Sequence, residues 1–232
     1  MTNIVLIARD RPRLTEQCLR TLYENTNKDT FNLTIVDDGS DGPASDVIQE
    51  YGEGHDNCEV LTLLYPIGIV GFLRNIGTWA SERFFGRGDY LYESDNDLVF
   101  LPKWLTIMEN RMLHAETFNI PLLGGYRHPF HSPIGEIART KLDETIEITD
   151  AVAGYSHMMT WQTWDLYGPY DQQARGVCQS EDFAFCQRIV KAGGRVGYVN
   201  PPVIANCGIT NSEGRPAIGA EHFPRHKDLI YE

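Results

Sequence analysis

Short apolar runs alternate along the chain with longer segments of helical period, which is the pattern of layered α/β structure. Asn3–Ala8 predicts a buried strand. Leu14, Cys18 and Leu22 recur every four residues, so Arg13–Asn25 predicts an amphipathic helix entered near Pro12. Asn32–Val36 predicts a second strand that stops at Asp37-Asp38-Gly39-Ser40, followed by a helix over Ala44–Tyr51 and a strand over Glu59–Leu64. Phe72, Ile76, Ala80 and Phe84 mark a long helix through Gly68–Phe85. Tyr90–Tyr92 predicts a short strand halted by Ser94-Asp95-Asn96-Asp97, and Leu101–His114 a helix with Leu105, Met108 and Met112 facing inward. The second half is less regular. Strands are expected at Pro121–Tyr126, Thr145–Thr149, Val152–Thr160 and Arg195–Val199, with helices near Trp161–Tyr167 and over Glu181–Ala192. Arg127–Asp143 reads as a long functional loop, and residues 208–232 as a mobile polar tail.

Composition narrows the class. A chain of 232 residues, 42% hydrophobic, fits one large domain. The net charge of −12, from 32 acidic and 20 basic residues, disfavours a broad nucleic-acid or anionic-membrane footprint, which needs clustered Lys and Arg. Apolar stretches such as Ile4–Ala8 fall far short of the ~20 residues that cross a bilayer. The opening MTNIVLIARDRP lacks a secretory pattern, and five scattered cysteines without a CxxC pair point to a reducing compartment, so a cytoplasmic protein with no membrane span is expected.

Three acidic clusters carry the candidate chemistry. Asp37 and Asp38 end a strand, where carboxylates sit at the carboxyl edge of a parallel sheet and can accept hydrogen bonds from a base or a ribose; the alternative is a plain Asp-Gly turn. Asp95 and Asp97, two positions apart on an extended segment, point to one side. That suits a hard divalent cation, Mn²⁺ or Mg²⁺, shared with a diphosphate, against the alternative of a solvated acidic loop. Ser180-Glu181-Asp182 opens a helix, either as an N-cap with dipole-stabilising acids or as the source of a general base. Arg74 inside the long helix reaches a base or phosphate or is a plain exposed helix arginine, and Arg225-His226-Lys227 closes over a diphosphate or is a solvated basic tail. Zinc is disfavoured, since Pro224 breaks the His222/His226 spacing.

The order of these pieces, strand 3–8, VDDGS at 36–40, LRNIG at 73–77, YLYESDND at 90–97 with LPKW at 101–104, the segment Ala153–Asp171, and SEDFAFCQRIVKAGGRVGYVNPP at 180–202, resembles the family 2 glycosyltransferases of the GT-A fold over residues 3–207. The resemblance implies a single α/β GT-A domain with a mixed, mostly parallel central sheet flanked by helices. Residues 1–100 would bind a nucleotide sugar, UDP-sugar foremost, and residues 101–207 would supply acceptor binding and catalysis. It implies that Ala8 and Arg9 border the base, Asp37 and Asp38 hold it, and Arg74 adds a contact. Asp95 would meet the ribose or the metal and Asn96 the nucleotide, Asp95 and Asp97 would bind Mn²⁺ or Mg²⁺, and Asp182 would act as base beside Glu181. Two features depart from the family pattern. The first strand ends Ile7-Ala8-Arg9-Asp10, and Asn206-Cys207 stand where a metal-binding histidine is common, leaving water, Asn206 or His222 as third ligand. The expected reaction is sugar transfer with inversion to a hydroxyl acceptor of open class. A sugar-nucleotidyltransferase, and a silent nucleotide- or glycan-binding module of the same fold, remain as alternatives.

Overall fold

The structure is a computed structural model that describes residues 1–127, 133–137, 145–173, 181–208 and 230. Its elements in chain order are β1 (Thr2–Ala8), α1 (Pro12–Glu24), β2 (Phe31–Asp37), α2 (Gly42–Gly54), β3 (Cys58–Thr62), α3 (Val70–Phe85), β4 (Tyr90–Asp95), β5 (Leu98–Phe100) and α4 (Trp104–Thr117), then β6 (Leu122–Gly124), β7 (Pro133–Ile137), β8 (Thr145–Thr149), β9 (Ser156–Thr160), α5 (Trp161–Tyr167), α6 (Glu181–Lys191), β10 (Val196–Asn200) and β11 (Ile204–Asn206).

Nine strands form one sheet in the order β3-β2-β1-β4-β9-β6-β10-β8-β7. β3, β2, β1 and β4 are mutually parallel, while β9 and β8 run against the rest, so the sheet is mixed but mostly one-directional. β1 is buried throughout and apolar from Ile4 to Ala8, because it is covered on both sides. Ile4, Leu6 and Ala8 pack into one core with Leu19 and Leu22 of α1, Ile48 of α2 and Met108 of α4. Val5 and Ile7 point the other way, into a second core with Leu73 of α3, Trp164 of α5 and Phe185 of α6. Thus α1 and α2 lie on one face and α3 on the other. The connection reverses between β1 and β4, and such a switch opens a crevice at the carboxyl ends of the strands, where α/β folds bind ligands.

Several expectations change in detail. β4 continues through Ser94 to Asp95, so Asp95 is the last residue of the strand and not part of the loop. Three-residue β5 pairs with β11 in a separate small sheet, a pairing between segments about a hundred residues apart that no local pattern signals. The segment expected as a long loop, 127–143, contains β7, which adds to β8 at the sheet edge. The strand expected from Val152 begins only at Ser156. Of the tail, Ile230 exchanges two hydrogen bonds with the side chain of Gln17 (2.8 and 3.1 Å); residues 209–229 lie outside the described residues, as do Ser180, His222 and Arg225-His226-Lys227.

Candidate active site

The register of the parallel strands sets the site. Ala8 lies opposite Asp37, and Ile7 opposite Asp95, so the ends of β1, β2 and β4 arrive at one edge. Asp37 and Asp38 are both buried there. Asp37 accepts the Ser40 N–H through Oδ1 (2.9 Å), while its buried Oδ2 has no hydrogen-bond partner. Asp38 accepts the amides of Ile67 (2.6 Å) and Gly68 (2.9 Å), with the Arg9 guanidinium 3.9 Å away. Asp38 therefore shapes the loop between β3 and α3. Ala8 is fully buried and its carbonyl accepts the Asp38 N–H, so its part in any base contact is that of the backbone.

Arg74, one turn into α3, is 1% exposed. Its Nη2 donates to Asp95 Oδ1 at 2.8 Å and its Nε lies 3.7 Å from Glu181 Oε1. Burial works against its charge, but Asp95, Glu93 and Glu181 outweigh it and push the guanidinium pKa further up. The helix carrying the Glu-Asp pair is thereby joined to the strand end carrying the Asp-x-Asp motif. Gly154 makes the meeting possible: a β-carbon there would stand 3.1 Å from Arg74 Nη2, 3.2 Å from Glu181 Oε1 and 3.3 Å from Asp182 Cβ. Its amide donates to Asp182 Oδ2 at 2.7 Å, fixing that carboxylate at the mouth of the cluster. Burial raises the Glu181 carboxyl, with Asp182 adding to it and Arg74 opposing.

Asp97 sits beyond the strand end. Its Oδ2 accepts from Arg11 Nη1 at 2.8 Å, and burial together with the nearby Asp95 charge pushes its carboxyl up to about 6 in spite of that partner. Gly208 lies against it so closely that a β-carbon would come within 2.0 Å of Oδ2. Asn96, expected to meet the nucleotide, faces inward at 7% exposure and donates to Thr15 Oγ1 at 2.7 Å and the Asp10 carbonyl at 3.4 Å. Asn206 is also inward, accepting the Gly208 amide.

Behind the cluster lies a buried network that reading the sequence missed. Glu93 accepts from Thr78 Oγ1 (3.0 Å) and Tyr170 OH, and pairs with His157 Nε2 at 2.8 Å. Burial alone would raise the Glu93 carboxyl, but His157, Arg74 and Tyr170 outweigh it and lower it. The one signal available was an acid in the apolar run Tyr90-Leu91-Tyr92-Glu93, since a charge on a central strand needs a partner. Arg11 was missed for another reason: it follows β1 in sequence but meets Asp97 across the fold.

No protein-family profile matches the chain, and no curated protein matches it in sequence. Solved structures do match in fold. Staphylococcus aureus TarS, solved with UDP-GlcNAc, is 14% identical with a TM-score of 0.61, covering 88% of this chain and 57% of its own. A mannosyltransferase of Pyrobaculum calidifontis, solved with GDP-Man and Mn²⁺, is 12% identical with a TM-score of 0.63, covering 87% of this chain and 54% of its own. GalNAc-T7, solved with UDP, GalNAc and Mn²⁺, is 12% identical with a TM-score of 0.70, covering 93% of this chain and 45% of its own. The present chain spans about half the length of these relatives, and what it shares with them is the GT-A fold.

Proposed function

We propose that the chain is a metal-dependent glycosyltransferase that moves a sugar, a hexose or a related one, from a nucleotide-diphosphate donor, UDP-sugar foremost, to an acceptor hydroxyl with inversion. The observation that carries this reading is the Arg74 bridge, 2.8 Å to Asp95 and 3.7 Å to Glu181, which joins the Asp-x-Asp strand end to the Glu-Asp helix at one sheet edge. Arg9 and the backbone at Ala8, backed by the buried Asp37 and Asp38, form the base side of the site, and residues 101–207 provide the acceptor side. The UDP-GlcNAc and GDP-Man bound in two of the similar structures, and the UDP and GalNAc in the third, support a nucleotide-sugar ligand, and the Mn²⁺ in two of them supports a divalent cation.

The residues at the Asp-x-Asp end fit such a cation. Asp95 and Asp97 offer hard oxygens, and the missing side chain at Gly208 keeps the ground beside Asp97 Oδ2 clear. Among the described residues no group of three His, Cys, Asp or Glu gathers, and His222, one of the third ligands expected from the sequence, lies outside them. When bound, Mn²⁺ or Mg²⁺ supplies Lewis-acid stabilisation of the leaving diphosphate.

The chain's own residues do the remainder. Asp182, held by the Gly154 amide, takes the proton of the acceptor hydroxyl as its oxygen bonds to the anomeric carbon; the bond from that carbon to the diphosphate oxygen breaks, and nucleoside diphosphate departs on the opposite face. Glu181, tied to Arg74, orients the acceptor side. Asp182→Asn is expected to lower kcat by roughly a thousandfold with nucleotide affinity nearly unchanged, as loss of a general base does. Full turnover in that variant, together with loss in Glu181→Gln, would pass the base to Glu181, whose raised carboxyl suits the task. Donor turnover should release nucleoside diphosphate and require Mn²⁺; pyrophosphate as product would instead mean a nucleotidyltransferase, and no turnover of any donor a silent binding module. No described helix is long and apolar enough to cross a membrane. Cys18, Cys58 and Cys186 are buried free thiols, which suits the reducing cytoplasm we assign to the chain.

A further inference from the structure

Asp97 is engaged by a cation that belongs to the chain itself. The Arg11 guanidinium donates to Asp97 Oδ2 at 2.8 Å, with side-chain exposures of only 15% and 18%, so solvent screens the pair weakly. The backbone that presents Arg11 is unusual. Asp10 and Arg11 are successive non-glycine residues in the left-handed region, with φ of 52° and 55°. Such conformations persist only where neighbours over-determine them. Here they do: the Asp10 amide donates to Ser40 Oγ at 2.9 Å, and the Asp10 carbonyl accepts from Thr15 Oγ1 at 3.1 Å and Asn96 Nδ2 at 3.4 Å. Asn96 is the middle residue of the Asp95-Asn96-Asp97 motif. The motif thus pins the turn that aims Arg11 back at its own last carboxylate.

We propose that Arg11 is a built-in counter-cation for Asp97, displaced when a divalent cation binds and passed to the donor diphosphate, so that metal binding depends on the donor. This rests on the reading of Asp97 as a metal ligand. A cation arriving alone must break that charge-assisted hydrogen bond and set two like charges side by side in a place of low exposure. A cation arriving with a diphosphate meets no such penalty, because the guanidinium gains a phosphate partner matched to its fork of donors. The coupling is reciprocal: metal strengthens nucleotide binding by the factor by which nucleotide strengthens metal binding.

The test is a Mn²⁺ titration of the whole chain, reading free Mn²⁺ by electron paramagnetic resonance, alone and with UDP or GDP in separate arms. Arg11→Met should bind Mn²⁺ alone roughly tenfold more tightly than wild type, as expected when a charged hydrogen bond no longer competes. The nucleotide should then improve Mn²⁺ affinity by a smaller factor in the variant than in wild type. Arg11→Gln, which keeps hydrogen bonding without the charge, should behave alike and replaces Arg11→Met if the latter fails to fold by circular dichroism. Equal or weaker Mn²⁺ affinity in the folded variants, with nucleotide still strengthening Mn²⁺ binding in wild type, overturns the inference and leaves the active-site reading standing. No Mn²⁺ binding by any of the proteins under any condition removes both.

Discussion

A single guanidinium, that of Arg74, is surrounded by the carboxylates of Asp95, Glu93 and Glu181, and it is almost entirely buried. Removing it would leave three acids facing one another, with Glu93 fully buried, Glu181 15% exposed and only Asp95, at 36%, in reach of water. Arg74→Met is therefore expected to destabilise the fold by about 3–5 kcal/mol, the usual consequence of stranding buried charge, read from urea denaturation. A loss within 1 kcal/mol would mean that solvent already compensates those acids (~1 kcal/mol is the scale of a surface pair). Asp97 gives a second expectation at this scale. Its carboxyl is raised from 3.8 to about 6, so the folded state holds that proton more tightly than the unfolded chain does. The resulting penalty is present above pH 6 and disappears as pH falls through 6 toward the unfolded value. Without metal, Asp97→Asn should be more stable than wild type at pH 7.5, with the advantage fading toward pH 4. Mn²⁺ should stabilise wild type alone, and progressively less below pH 6. Thermal denaturation across pH checks both, and a pH-independent difference between the two proteins would contradict the assignment.

At the scale of elements, the site depends on how closely α3 lies on the sheet. Gly77 faces β1 and β2 so tightly that a β-carbon would come within 2.5 Å of Val5 Cγ1 and 2.7 Å of Val36 Cγ2. Glycine in a helix interior is unfavourable by roughly 0.5–1 kcal/mol against alanine, and here it is what lets the helix approach. Gly77→Val should lift α3, destabilise by about 1–3 kcal/mol as overpacking does, and weaken nucleotide binding because Arg74 rides on the same helix. Calorimetric titration with UDP and Mn²⁺, beside a melting curve, separates the two effects; unchanged nucleotide affinity in a destabilised variant would show that α3 does not position the donor. The helix pattern itself was plain in the chain, since Phe72, Ile76, Ala80 and Phe84 repeat at the helical period. The inward turn of Asn96 was not, because an amide in a polar tetrapeptide carries no sign of which partner it will meet.

For the molecule as a whole, one sheet carries both halves of the site, and β4 pairs directly with β9 at the seam. Residues 1–100 and 101–207 therefore share two cores, one holding Trp104 and the other Trp161 and Trp164. We expect one cooperative transition in urea, with tryptophan fluorescence and far-ultraviolet circular dichroism superimposing. Two separated transitions would mean that residues 1–100 and 101–207 fold as independent units.

The chain alone determined what depends on near neighbours: the alternation of strands and helices, the acids at strand ends, and the helix opened by Glu181 and Asp182. Hydrophobic period and turn chemistry are local properties, and a strand that stops in Asp-Gly or Asp-Asn-Asp says where its carboxylates will stand. Only the tertiary structure decided which of these groups face one another. The Glu93–His157–Tyr170 network, the Arg74 bridge, the Arg11–Asp97 pair and the β5–β11 pairing all join residues far apart in sequence. Their partners are chosen by sheet order and register, because a buried charge takes whichever opposite group the packed fold brings within reach.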